Sequence, residues 1–98
     1  MKRVELSEPA WDDLRAIGDY TRTTWGEKQR RVYLDAIGDT FKALALMPKL
    51  GHSRDDLAPG VKSILSGRHV ILYEEKPDVI EILHIYHSSE DIEGKFSD

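Results

Sequence analysis

Cysteine is absent from this 98-residue chain, so there is no disulfide framework and no thiolate chemistry. The absence fits a reducing compartment. No apolar run comes near the roughly 20 residues that cross a bilayer as a helix. Residues 1–6 lack the apolar stretch of a signal peptide, which makes the cytoplasm the expected location and leaves no membrane as a partner. Glycine-rich phosphate loops, nucleophile elbows and zinc-type spacings are missing as well, and no cofactor is expected. Positive charge is short: 14 Lys and Arg face 18 Asp and Glu, for a net of −4. The deficit is uneven, since residues 42–76 carry six basic and four acidic side chains while residues 77–98 carry one and six. Proteins whose affinity comes from phosphate contacts show a clear basic footprint. Without one, direct sequence-specific DNA binding by this chain is not expected. The length is that of a single domain, residues 1–98, with a small core.

What the chain does have is a concentrated β signal near its end. Val70, Ile71, Leu72 and Tyr73 form one run; Val79, Ile80, Ile82, Leu83, Ile85 and Tyr86 form a second, with Pro77-Asp78 as the turn between them. The second run is apolar on both alternating faces, interrupted at Glu81 and His84, which places it inside a sheet rather than at an edge.

The rest of the chain supplies partners for that pair. Val4 and Leu6 mark a short strand over residues 2–6. Ser7 or Glu8 caps a helix with Pro9 in its first turn. That helix runs to about Trp25 with Ala10, Leu14, Ile17, Thr21 and Trp25 on one stripe, and Gly26 is placed to end it. A second helix follows to about Met47, with Tyr33, Ile37, Phe41, Leu44 and Met47 as its stripe and Pro48 as its stop. So short a break predicts an antiparallel helical hairpin. Residues 48–60 read as loop, 61–65 as a strand, and residues 93–98 as a polar, frayed end onto which Phe96 can dock. The order is β-α-α-β-β-β, an α+β domain with a helical hairpin packed on a small, mainly antiparallel sheet.

Polar groups gather at the paired ends of the last two strands: Arg68 and His69 on one, His84, Tyr86 and His87 on the other. A histidine there can move the proton of a 2′-hydroxyl and an arginine can stabilise a charged phosphorane, so Arg68, Tyr86 and His87 form the candidate catalytic set of a ribonuclease. The commoner role of such a histidine is to hydrogen-bond the strand end and seat the tail. Arg68 is equally suited to hold an anionic ligand or to pair with Glu90 or Asp91. His84 and His87 stand three apart, which on a regular strand puts them on opposite faces and argues against a metal site. Trp11 and Trp25 are expected in the core or hairpin packing, and Asp12, Asp13 and Asp19 on solvated faces.

The ordered set of these features resembles ParE-type toxins of the RelE/ParE superfamily. Leu6-Ser7-Glu8-Pro9-Ala10 followed by Asp13-Leu14 and Ile17 is similar to the family's opening, as is Tyr20 five residues before Trp25-Gly26. Met47-Pro48-Lys49-Leu50-Gly51, Pro59-Gly60-Val61-Lys62-Ser63, Ser66-Gly67-Arg68-His69 with the strand after it, and Ile82-Leu83-His84-Ile85-Tyr86-His87 with Asp91-Ile92 continue the likeness over nearly the whole chain.

The resemblance implies the toxin of a bacterial type II toxin–antitoxin pair. Toxins of this kind poison DNA gyrase and are neutralised by a ParD-type antitoxin whose C-terminal segment folds over the hairpin and sheet. The RelE branch shares the fold but cuts mRNA on the ribosome with a basic cluster. This sequence departs from that branch, because Lys62, Arg68 and His87 are not a dense cationic set and the tail is acidic. A non-catalytic toxin is therefore expected. Arg68, Tyr73, His87 and Asp91, at family motif positions, are candidates for toxicity, and Arg31, Asp35 and Asp39 for antitoxin binding. The mRNA endoribonuclease using Arg68, Tyr86 and His87 is the alternative, and an inert member that only binds its partner is the third reading.

Overall fold

A computed structural model describes residues 1–97. It has β1 (Arg3–Leu6), α1 (Glu8–Trp25), α2 (Glu27–Leu46), β2 (His52–Ser53), β3 (Val61–Ser66), β4 (His69–Glu75), β5 (Val79–His87) and α3 (Ile92–Ser97). Five strands form one sheet in the order β1-β5-β4-β3-β2; β1 runs parallel to β5 and every other pair is antiparallel. The α+β fold expected from the sequence is thus present, with two short elements added, β2 inside the expected loop and α3 in the expected frayed end. β2 is defined by two backbone pairings, His52 with Ser63 and Ser53 with Lys62, which side-chain patterning cannot reveal. α3 is capped by Asp91, whose carboxylate accepts the Gly94 N–H at 3.2 Å.

Ser7 begins the hairpin. Its hydroxyl accepts the Ala10 N–H at 3.1 Å, the bond that makes Ser an N-cap. Gly26, at φ +98, both ends α1 and starts α2, a backbone conformation that side chains resist. The hairpin covers one face of the sheet and buries Ala10, Ile17, Ile37 and Leu44 against Ile71, Tyr73, Ile80, Ile82 and Ile85. The other face holds a smaller cluster, Val61, Leu72 and Tyr86, roofed by Leu57, Ala58, Ile92 and Phe96. β5 lies second from the edge and contributes to both clusters, as its doubly apolar pattern predicts.

β5 is not regular. Tyr73 pairs with Ile82 and Leu72 with His84, which leaves Leu83 as one extra residue in the strand. Such a bulge shifts the alternation by one. Before it the even positions Ile80 and Ile82 face the hairpin; after it the odd position Ile85 does, and Tyr86 turns to the α3 side. α1 satisfies the backbone groups around the bulge. The Ser7 hydroxyl donates to the Leu83 carbonyl at 2.8 Å, and the Asp13 carboxylate accepts the Ile85 N–H at 2.9 Å. Asp13 also meets His84 Nδ1 at 3.1 Å. Asp13, expected on a solvated face, is instead the side chain that seats the bulge on the helix.

Both stripes run out of core before their ends. Trp25 is 71% exposed, Met47 is also exposed, and Trp11 stands 47% exposed on the outer side of the hairpin. Trp25 and Met47 lie past Thr21 and Leu44, the last buried positions of their stripes, and Trp11 faces the outer groove, so the expected core packing of the three does not form.

Candidate functional site

The bulge decides which strand-end groups meet. Beyond it His87 falls on the hairpin face, directly across from His69 in the β4–β5 register, with the rings edge to face at 5.3 Å. Between these residues and α1 lies a cleft of about 840 Å³. Tyr20, Thr21 and Trp25 of α1 line one wall, Tyr33 of α2 the floor, and Arg68, His69 and His87 the other wall.

Tyr33 fixes the floor. Its hydroxyl lies 2.6 Å from His69 Nδ1 and accepts the Arg68 backbone N–H at 2.9 Å. The remaining proton has two acceptors, His69 Nδ1 and the Ser66 carbonyl at 3.4 Å, and the shorter contact wins. Gly67, at φ +60, lets the turn approach this closely: a Cβ there would stand 2.8 Å from the Tyr33 oxygen. Burial, and next the neighbouring His87, hold the His69 imidazole below its usual range. His69 is thus neutral at pH 7, with Nδ1 accepting and its proton on Nε2. His87 Nδ1 accepts the Ser89 N–H at 3.1 Å, so in its neutral form Nε2 carries that proton too.

The sequence-selected residues divide. Arg68, His69 and His87 come together in the cleft. Tyr86 does not: it is buried in the α3-side cluster, stacked on His84 at 4.7 Å, and burial raises its phenol. The candidate set Arg68, Tyr86 and His87 is therefore split by the sheet, with Tyr86 on the far face. Tyr73 is fully buried; its hydroxyl donates to the Pro48 carbonyl at 2.8 Å and accepts the Gly51 N–H at 2.9 Å, so it staples the 48–60 segment and offers no surface. Asp91 caps α3. Neither acid expected opposite Arg68 is there: Glu90 pairs with Lys95 and accepts the His87 N–H, while Asp91 serves the helix. Among the described residues the Arg68 guanidinium has no carboxylate partner. Lys62 is the second residue of β3, paired with Tyr73, at the end of the strand away from Ser66 and the Arg68 turn.

Arg31, Asp35 and Asp39 lie exposed along α2, four residues apart each time, on the side away from Tyr33 and Ile37. On the outer side of the hairpin Trp11, Leu14, Gly18 and Leu34 form a second, smaller groove of about 510 Å³. Sequence reasoning missed Tyr20, Trp25 and Tyr33 as cleft residues. Trp25 and Tyr20 carried a signal, two large aromatics near a helix end with little sheet left to cover them.

The same fold recurs in a solved structure of a chromosomal ParDE system from P. aeruginosa, with TM-score 0.76, 24% identity and 89% of this chain and 96% of that chain covered. It recurs in the RelBE2 toxin–antitoxin complex of Mycobacterium tuberculosis, with TM-score 0.64, 22% identity and coverage of 88% and 96%. Residues 4–92 match the family described as ParE toxin of type II toxin–antitoxin system, parDE. The chain belongs to that family. It is 31% identical over 86 residues to Toxin ParE1 of Mycobacterium tuberculosis, covering 84% of this chain and 88% of the relative. It is equally identical to Toxin ParE1 of Caulobacter vibrioides, covering 86% and 90%. It is thus a ParE-type toxin of the RelE/ParE superfamily.

Proposed function

We propose that this toxin acts in the cytoplasm by binding DNA gyrase without catalysing a reaction, and that a ParD-type antitoxin neutralises it in a hetero-oligomer. The observation that supports a non-catalytic action is the division of the strand-end groups. A ribonuclease needs its acid, base and phosphate-binding cation around one scissile bond. Here Arg68 and His87 share a cleft while Tyr86 stacks on His84 behind the sheet. Charge supports the same reading, because a net of −4 opposes binding to dense phosphate. Antitoxin partnership is supported by family membership and by the toxin–antitoxin complexes that share the fold.

Gyrase supercoiling and DNA cleavage, assayed with purified toxin and again with antitoxin added, test this reading. Inhibition with trapped cleaved DNA, relieved by antitoxin, is the expected result. Unaffected gyrase together with ribosome-dependent mRNA cleavage that His87→Ala abolishes would replace it with the nuclease.

A further inference from the structure

The hairpin-side cleft is lined by exposed aromatics and carries one formal charge. Tyr20 is 68% and Trp25 71% exposed, far more than a stripe residue of an amphipathic helix shows. Among the described residues no carboxylate lines the cleft, and Arg68 is its single permanent ion. In a chain of net −4 an unpaired arginine beside bare aromatic rings is unusual. Aromatic residues and arginine are the side chains that dominate binding energy at protein interfaces. The site is also rigid: the Tyr33 hydroxyl bonds and the tight Gly67 turn hold Arg68 and His69 before anything binds.

We propose that this cleft docks a peptide segment of the toxin's protein target, one that carries an apolar side chain next to a carboxylate. The apolar side chain packs against Tyr20 and Trp25, and the carboxylate meets the Arg68 guanidinium, with the His69 and His87 Nε2–H groups as further donors. The volume, about 840 Å³, suits a few side chains rather than a whole helix. One carboxylate matches one arginine, whereas a polyanion would also meet the charge of Glu90, which reaches His69. The source rests on the protein-target reading above; the ligand chemistry does not.

The test uses full-length toxin carrying Trp11→Phe, which leaves Trp25 as the sole tryptophan, titrated with the capped peptide Gly-Leu-Asp-Phe-Gly and its Asn analogue. Saturable change of Trp25 fluorescence is expected with the Asp peptide. Loss of affinity by about tenfold or more is expected for the Asn peptide and for Arg68→Ala. Binding that ignores both changes, or AMP saturating the cleft where the peptide does not, overturns the proposal. Source is decided separately: Arg68→Glu is expected to lose gyrase inhibition while still co-purifying with antitoxin. Loss of antitoxin with gyrase inhibition intact overturns the assignment to the target. Peptide binding by a wild-type toxin that leaves gyrase untouched keeps the docking chemistry and removes gyrase as its source.

Discussion

Both sides of the α1–α2 hairpin present a concave surface with a tryptophan at its rim, yet they differ in what their arginines do. In the outer groove every cation is answered within its own helix: Arg15 meets Asp12 at 2.7 Å, Arg22 meets Asp19 at 3.1 Å and Arg30 meets Glu27 at 3.2 Å, each pair three residues apart. In the sheet-side cleft Arg68 comes from a two-residue turn, where no helical neighbour can supply a carboxylate, and the candidate acids Glu90 and Asp91 are engaged elsewhere. A surface with internally paired charges needs no partner for electrostatic reasons. A surface with an unpaired arginine among aromatic rings gains from one. Counting arginines would rank the outer groove higher; following their partners reverses the order.

The largest way to break the comparison is at the bulge, because the bulge puts His87 in the cleft and touches nothing in the outer groove. Asp13→Ala removes the acceptor of the Ile85 N–H and the partner of His84 together, and is expected to cost about 2–3 kcal/mol. Asp13→Asn keeps an acceptor for the N–H and should cost roughly half as much. Urea denaturation measures both. Equal losses would mean that charge, and not the backbone bond, holds the bulge.

Next in size is the turn that carries Arg68. Gly67→Ala puts a side chain at φ +60 and a Cβ 2.8 Å from the Tyr33 hydroxyl, for an expected loss of about 1–2 kcal/mol. Tyr33→Phe removes the hydroxyl contact, leaves the ring carbons at 2.9 and 3.1 Å, and orphans the Arg68 N–H and His69 Nδ1, at about 1 kcal/mol. If Gly67→Ala becomes harmless in the Tyr33→Phe background, contact with the hydroxyl rather than backbone strain set its cost.

Proton titration separates the two surfaces more gently. The folded His69 pKa lies below its unfolded value, so the unfolded chain binds the extra proton first. The stability contribution of neutral His69 is complete above about pH 6.5 and is lost as pH falls through the depressed folded pKa. The carboxylates act lower. Glu75, held below its usual range by Lys2 and more weakly by Lys49, and Glu90, held there by Lys95, lose their contributions as pH falls below about 4.5. Urea midpoints between about pH 5 and 7 should slope in wild type and flatten in His69→Gln. An unchanged slope in that variant would place the titration elsewhere.

Much of this architecture was legible in the sequence because it rests on local signals. Ser7 with Pro9, the apolar stripes, Gly26 and the doubly apolar β5 each predict their element from neighbours a few residues away. The cleft was legible only in part. Arg68 and His87 were selected by position, but the extra residue Leu83 is invisible within an apolar run, and without it the faces of Tyr86 and His87 cannot be assigned. The one hint is that Ile82-Leu83 breaks the alternation and His84 follows out of phase. Asp13 was unreadable for a different reason: its partners are about 70 positions away in sequence, and an aspartate near a helix start looks solvated until the sheet is in place. α3 was more recoverable, since Asp91 as cap with Ile92 and Phe96 one turn apart is a short-range pattern.

The smallest expected effect sharpens the comparison most. Arg22→Ala breaks an exposed pair with Asp19 and should change stability by no more than about 0.5 kcal/mol. Arg68→Ala has no pair to break and should be as quiet in urea, because its backbone N–H, the group Tyr33 uses, remains. By stability the two arginines are then indistinguishable. They should part in function: Arg22→Ala inhibits gyrase like wild type, while Arg68→Ala does not, and raising salt from about 50 to 200 mM weakens wild-type action but leaves any residual action of Arg68→Ala flat. Equal inhibition by both variants would mean that an unpaired arginine on this surface is merely solvated, and that the partners of charged residues are no guide to where this toxin acts.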